Sequence, residues 1–313
     1  LFIFSYSNPE FTGCEAYRRE RWLKTLFPQA SVFVITSEFL EKRFNFSLPK
    51  NDAPELEHRR FCGFLWLELV NEPLDAVFTS ESYGTGFAAE LSSYFALYAN
   101  LPAVKHILVD LERRQIPVSG TEIRQNIHSL KHFLSPEVYA SFVKTVCLLG
   151  GESTGKSTLA EALAREFKTV FVPEYGRTLW EEQNARLSFE DLLKIAKTHV
   201  SSEETLARQA DGFLFVDTSP LTTMLYSEYL FERIDPELAW LSQRKYDFTF
   251  LCAPDFPFVQ DGTRVSEGFR QRQHEEYLRL LKLRGIDFTL LSGNLSERAE
   301  QVKTMLRARL LES

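Results

Sequence analysis

The chain has 313 residues, 44% of them apolar and 27 of them phenylalanine, enough to fill two ordinary cores without help from disulfides. A formal net charge of -7 argues against a broad nucleic-acid-binding face, because such faces gain affinity by neutralising phosphates with clustered Lys and Arg. No apolar run reaches the roughly eighteen residues of a membrane span, and LFIFSYSNPE lacks the basic opening and small-residue cleavage site of a secretion signal. The four cysteines, Cys14, Cys62, Cys147 and Cys252, are dispersed with no CxxC pair, so neither a zinc site nor a disulfide framework is expected. The expectation is a soluble two-domain protein of a reducing, cytoplasmic compartment, with no nucleic-acid or membrane partner and with a homo-oligomer left open.

Strand-like and helix-like segments alternate almost throughout, the pattern of a parallel sheet covered by helices on both faces. LFIFSYS (1–7) reads as an apolar strand entered without a preceding turn. After it come a helix over 15–27, a strand over 30–36, a loop with two prolines and Asn-Asp over 44–55, and a helix over 54–70. A strand over 75–80, a helix over 86–98 and a strand over 105–110 complete this half.

PVSGTEIRQN (117–126) follows. Ser119 with Glu122 three residues later is a capping box, and that alone accounts for much of the pattern. The same geometry would also grip a phosphate, with the Ser119 and Thr121 hydroxyls at a helix N-terminus and Arg124 one turn in. Spacing alone supports both. The alternation restarts after SPEVYASFVK, so the reading places a boundary near residue 140, dividing 1–140 from 141–313.

In the second half strands are expected over 144–150, 168–174, 212–219, 247–254 and 287–293, with helices opening near Lys156, Gly176, Pro220, Arg270 and Leu295. Between the first strand and the first helix, Gly150, four residues and Gly155-Lys156-Ser157 spell GxxxxGK[ST] in the strand, loop, helix order that a P-loop requires. Gly150, Gly151 and Gly155 let backbone N–H groups converge on phosphate oxygens, Lys156 reaches the terminal phosphates, the Ser157 hydroxyl can ligate Mg²⁺, and Thr158 completes the cradle. The competing reading is a Gly-rich turn capping a helix. No NKxD-like guanine-reading segment follows FTFLCAPDF, which favours ATP over GTP.

Other candidates stand at strand ends, where open α/β sheets bind ligands. Asp217 ends FLFVD where a carboxylate would serve Mg²⁺ or act as base; the bland reading is a turn-starting Asp before Pro220. Glu174 follows a strand expected to neighbour the P-loop strand, and would bind sugar hydroxyls or take the proton of an attacking hydroxyl. Alternatively Glu174 pairs with Arg177 at the helix start. Segment 255–272 carries Arg264, Arg270 and Arg272, which read either as lid arginines meeting transferred charge or as surface arginines. Tyr175, Trp180 and Tyr226 are candidates to stack on a cationic ring, with core packing as the alternative.

VSGTEIR resembles the ISxTxxR signature of nucleotidyltransferases. In the order VSGTEIR, LLGGESTGKS, EYGR, FVDT and a DGxR lid, nearly the whole chain resembles the bifunctional bacterial family that joins nicotinamide mononucleotide adenylyltransferase to nicotinamide riboside kinase. That resemblance implies two doubly wound domains, a Rossmann-like nucleotidyltransferase and a P-loop kinase, both using ATP and Mg²⁺. The kinase would phosphorylate nicotinamide riboside, with Glu174, Tyr175 and Arg177 at the acceptor. The other domain would adenylylate the mononucleotide to NAD, with Ser119, Thr121 and Arg124 on ATP. The family's GxFxPxHxGH loop has no counterpart among His58, His106, His128, His132, His199 and His274. By the resemblance LFIFSYS aligns with the second strand, and little adenylyl transfer is expected from these residues. A P-loop kinase for another metabolite and a nucleotide-sensing regulator with little turnover remain as rival readings.

Overall fold

A computed structural model describes residues 1–184, 186–258 and 266–310. The chain divides into two compact units, Leu1–Glu137 and Val138–Ser313.

In the first unit, β1 (Phe2–Ser5) pairs in parallel with β2 (Ser31–Val34), and β3 (Ala76–Thr79) with β4 (Lys105–Leu108). The sequence pattern leads one to expect a single sheet; the described ladders form two separate parallel pairs. Phe4 of β1 joins the pairs through side chains, packing both with Ile35, Leu40 and Leu65 and with Trp66, Leu91 and Phe95. The connecting helices are α1 (Ala16–Leu26), α2 (Ser37–Phe44), α3 (Glu55–Leu69), α4 (Gly84–Tyr98) and α5 (Gly120–Gln125). Helix α2, which the sequence reading did not assign, ends at Phe44, where the expected loop begins. Its start is fixed by the Thr36 hydroxyl accepting from the Phe39 N–H at 3.2 Å, and its end by Asn45 in the left-handed conformation.

A single turn, α6 (Pro136–Tyr139), spans the junction of the units. The second unit holds five parallel strands, β5 (Lys144–Leu149), β6 (Phe171–Val172), β7 (Phe213–Asp217), β8 (Phe248–Cys252) and β9 (Thr289–Leu291), in the order β6-β7-β5-β8-β9. Around them lie α7 (Lys156–Glu166), α8 (Tyr175–Glu182), α9 (Phe189–Ala207), α10 (Pro220–Phe231), α11 (Pro236–Leu241), α12 (Glu267–Leu283) and α13 (Leu295–Leu310). Side chains alternate across the sheet. Cys147, Leu149 and Leu251 face α8 to α12, while Val146, Leu148, Phe250 and Cys252 face α7 and α13. With both faces covered, the strands read as unbroken apolar runs.

One detail corrects the sequence reading and one sharpens it. β6 has two residues and pairs with β7 at the sheet edge, so Glu174 follows an edge strand and not a neighbour of the P-loop strand. Helix α12 opens at Glu267, one turn before Arg270, because the Ser266 side chain caps it through the Phe269 N–H. Strand β5 lies between β7 and β8, and the chain leaves it to one side and returns on the other. The carboxyl end of β5 is therefore a topological switch point, where helices diverge and a crevice opens.

Helix α9, absent from the sequence reading, begins at a capping box made by Ser188 and Asp191 and carries a buried polar group to the back of that crevice. Glu203, 1% exposed, accepts from Arg244 Nε at 2.6 Å and from the Tyr246 hydroxyl at 2.8 Å. One turn earlier His199 is 4% exposed, with Nε2 3.6 Å from Glu203. Burial lowers the His199 pKa to about 4, and the Arg244 cation adds to that fall while the Thr218 backbone opposes it. The folded value lies below the unfolded one, so the unfolded chain takes up the proton first on acidification. Stability present above about pH 6.5 is thus lost toward pH 4, about 2 kcal/mol of it by pH 5. Urea unfolding at pH 7 and pH 5 should show this loss in the native chain and a flatter dependence in His199→Gln; equal pH slopes would refute the assignment to His199.

Candidate active site

At the end of β5 the chain turns into the loop 150–155 and then α7. Gly150 has φ +146°, and a Cβ there would stand 2.9 Å from the Cys252 carbonyl oxygen and 2.8 Å from Thr154 Oγ1. At Gly151 a Cβ would meet the Arg270 carbonyl oxygen at 2.8 Å, and Gly155, at φ +76°, is the N-cap of α7. Gly150 and Gly151 are needed because backbone passes close behind them, and Gly155 because of its left-handed φ. Within the loop, Thr154 Oγ1 and Lys156 Nζ both donate to the Gly151 carbonyl, at 2.7 and 2.9 Å. From α12, Gln273 Oε1 accepts from the Glu152 N–H at 2.9 Å.

Arg298 of α13 locks this loop from behind. Its side chain is 1% exposed and donates to the carbonyls of Gly293 (2.8 Å), Thr154 (2.8 Å) and Ala253 (2.9 Å), and to the Asp255 carboxylate. Its guanidinium also lies 4.3 Å from the centre of the Phe256 ring. One buried cation thus joins the P-loop to the ends of β8 and β9.

A cavity of about 270 Å³ opens in front of the loop. Gly150, Gly155, Lys156, Ser157 and Thr158 form one wall, and Glu174, Tyr175, Arg177 and Trp180 at the start of α8 form another. Thr218, Tyr226 and Gln273 close the far side. Asp217 lies beneath the wall, 1% exposed, with its Oδ1 buried and unpartnered. Burial raises its pKa to about 6, and the nearby Glu174 carboxylate adds to that rise; Lys156, the Ser157 hydroxyl and Arg177 pull the other way. A buried carboxylate oxygen without a partner, beside a serine hydroxyl, offers oxygen donors to a hard cation that takes its other ligands from phosphates and water. No group of three or more His, Cys, Asp or Glu side chains able to hold a metal occurs among the described residues.

The structure brings Lys156, Ser157, Thr158, Glu174, Tyr175 and Arg177 to one cavity, with Asp217 directly behind it. Gly151 serves the loop's internal bonding. The arginines expected over the phosphates stand elsewhere. Arg270 is 3% exposed and donates to the Phe256 carbonyl at 2.8 Å and to Glu267 at 3.1 Å, while Arg272 is exposed on α12, and neither lines the cavity. Arg264 lies outside the described residues. Sequence reasoning did not single out Glu152, Thr218, Gln273 or Arg298. The acidic third residue of the P-loop was visible; the other three carry no local motif.

In the first unit the capping box is realised, with the Ser119 hydroxyl accepting from Glu122 N–H at 3.1 Å and Glu122 accepting from Ser119 N–H at 2.7 Å. Arg124 donates to Thr121 Oγ1 at 3.1 Å and lies 4.2 Å from the centre of the Phe11 ring. No helix among the described residues is long and apolar enough to cross a membrane.

Residues 145–298 match the family described as an AAA domain. The chain is 33% identical over 193 residues to the "Trifunctional NAD biosynthesis/regulator protein NadR" of Salmonella typhimurium, covering 59% of this chain and 47% of that protein. Its counterpart in Escherichia coli is 34% identical over 167 residues, covering 51% of this chain and 40% of that protein. The match thus spans half or less of these relatives. Two solved structures share the fold: NadR in complex with NR (TM-score 0.67, 23% identity) and NadR in complex with NAD and AMP-PNP (TM-score 0.65, 21% identity), each covering 94% of this chain and 82% of the other. The second unit is an α/β domain with a parallel sheet and a P-loop kinase-like arrangement.

Removing Arg298 takes the cation away from the Asp255 carboxylate, which keeps the Gly293 N–H at 2.6 Å, and takes a donor from three carbonyls. Arg298→Ala should therefore lower the unfolding free energy by about 3 kcal/mol or more, measured by urea denaturation. A change below about 0.5 kcal/mol would mean that the clamp contributes nothing.

Proposed function

We propose that the second unit is an ATP- and Mg²⁺-dependent kinase that moves the γ-phosphoryl group of ATP to the 5′-hydroxyl of nicotinamide riboside, giving nicotinamide mononucleotide for NAD synthesis in the cytoplasm. The observation that carries this reading is one cavity with a P-loop on one wall and an aromatic, acidic wall facing it. The curated relatives named for NAD biosynthesis support the choice of acceptor.

In this reading the backbone N–H groups of 150–155 and the N-terminus of α7 hold the phosphates, and Lys156 leaves the Gly151 carbonyl to reach the β- and γ-phosphates. Ser157 and Asp217 would hold Mg²⁺, and the ion would supply positive charge to offset that of the phosphate oxygens. Glu174 lines the cavity at the start of α8, where it orients the acceptor hydroxyl and receives its proton; that place on the wall favours it over the buried Asp217 as base. Arg177 stands beside the same wall to meet transferred charge, and the rings of Tyr175, Trp180 and Tyr226 offer faces to a pyridinium. Transfer forms the bond from the acceptor oxygen to γ-phosphorus and breaks the bond from γ-phosphorus to the β-γ bridging oxygen, releasing ADP.

For the first unit we propose a nucleotidyltransferase-like domain in which Ser119, Thr121 and Arg124 contact ATP. Adenylyl transfer to nicotinamide mononucleotide would need the histidine loop that residues 1–313 do not contain.

Lys156→Ala should reduce riboside phosphorylation by at least about a hundredfold, and activity near the native level would sink the kinase reading. In a panel of acceptors with ATP, nicotinamide riboside should be the preferred substrate; turnover of other nucleosides but not of this one would overturn the choice. Glu174→Gln should lower kcat by about a hundredfold with a smaller effect on KM.

A further inference from the structure

Helix α12 touches two walls of the cavity with one stripe of side chains. Phe269, Gln273 and Tyr277 follow one another at four-residue spacing, so they stand one above another on the same face, and all three are buried. Gln273 reaches the phosphate loop, its Oε1 accepting from the Glu152 N–H at 2.9 Å. Beside it the backbone of α12 closes on the loop, where a Cβ at Gly151 would stand 2.8 Å from the Arg270 carbonyl oxygen. Phe269 and Tyr277 reach α10 instead. The Tyr277 hydroxyl donates to Thr222 Oγ1 at 2.8 Å, and the Phe269 and Tyr226 rings meet edge to face with centres 5.8 Å apart. Thr222, Tyr226 and Gln273 all line the cavity. The loop and α10 also meet directly, the Tyr226 hydroxyl donating to Glu152 Oε1 at 2.9 Å. A buried amide on α12 is thus fastened to the loop that would hold the phosphates, while its neighbours one turn to either side are fastened to the helix whose Tyr226 would face the acceptor.

Transfer between two bound substrates needs the reacting atoms about 3 to 3.5 Å apart and aligned, and a misplacement of about 1 Å can cost a hundredfold in rate. We propose that Gln273 is a positioning residue through which α12 holds the phosphate loop and the acceptor wall in one register, so that each substrate binds more tightly when the other is in place. This role rests on the kinase reading above and adds to it the element that sets the distance between the two substrates. Gln273 acts through the Glu152 N–H and takes no part in the chemistry. A merely structural glutamine, one that only satisfies a loop N–H, makes a different prediction: its loss would weaken nucleotide binding to the same degree with and without the acceptor.

The experiment measures binding of the ATP analogue AMP-PNP with Mg²⁺ by titration calorimetry, with and without saturating nicotinamide riboside, in the native chain, Gln273→Leu and Tyr277→Phe. Leucine keeps much of the glutamine's bulk and removes the acceptor oxygen. Tyr277→Phe keeps the ring and removes only the hydroxyl that holds Thr222. In the native chain the riboside should tighten AMP-PNP binding by about fivefold or more. In Gln273→Leu that enhancement should fall below about twofold, with affinity for AMP-PNP alone changed by less than about threefold, and kcat should drop by about tenfold or more. Tyr277→Phe cuts α12 from the other wall and should lose about half of the enhancement or more. An enhancement that survives intact in Gln273→Leu, a loss of affinity there that is equal with and without riboside, or a full enhancement in Tyr277→Phe would each overturn the role assigned to Gln273 on α12. So would a native chain that phosphorylates the riboside yet shows no enhancement. A native chain that binds AMP-PNP and does not phosphorylate the riboside would overturn the kinase reading itself, and this role with it.

Discussion

A phosphate-binding loop must turn its N–H groups inward, which turns its carbonyls outward into protein, and every buried carbonyl needs a donor. That accounting organises the second unit. The Gly151 carbonyl takes Thr154 Oγ1 and Lys156 Nζ, and the Thr154 carbonyl takes a guanidinium nitrogen of Arg298. Once Arg298 is committed to the loop it must also be neutralised, which explains Asp255 beside it and the carbonyls of Gly293 and Ala253 around it. The glycines at 150 and 151 follow from the same requirement, since the loop can be supported closely from behind only where no Cβ intervenes.

The second constraint is at the end of β7. Thr218 has φ +72°, a costly conformation for a β-branched residue, and persists because its surroundings hold it. Its N–H donates to the Leu148 carbonyl at 3.1 Å, and its carbonyl accepts from Cys147 Sγ at 3.5 Å and bears on the His199 ring. The turn follows Asp217, whose ionisation is opposed by burial and by Glu174. Loop glycines, the Thr218 turn and the buried His199–Glu203 group are thus parts of one support for charge at the carboxyl ends of β5 and β7.

How legible this was depends on how local each cause is. The P-loop was readable because its chemistry lies in eight consecutive residues between an apolar strand and a helix. Strands β5, β7 and β8 were readable because both their faces are buried. Arg298 was not, since its partner Thr154 is 144 positions away and an arginine in a helix ordinarily signifies a solvated face. Arg270 failed in the opposite sense. Its grouping with other arginines suggested a lid, yet the side chain is buried against the Phe256 carbonyl, and only packing separates a buried guanidinium from an exposed one. Helix α9 carried its signal, a Ser188–Asp191 capping box before an apolar periodic run, but lay between two stronger motifs. The place of β6 was unreadable because two residues at an edge leave no periodicity to register.

The capping box at residues 119–122 poses a sharper problem than its sequence suggested. Cap and phosphate grip use the same donors. Ser119 N–H is given to the Glu122 carboxylate at 2.7 Å, Glu122 N–H is given to the Ser119 hydroxyl, and Arg124 is held by Thr121 and the Phe11 ring. The Glu122 carboxylate already stands where an incoming anion would bind, its pKa lowered first by the hydrogen bond to the Ser119 side chain and then by that to its backbone. A phosphate taken at this helix start must displace one carboxylate with another anion, so its net gain is the difference between two similar interactions. Affinity there has to come from additional donors, Arg124 foremost, and the motif by itself contributes orientation more than strength.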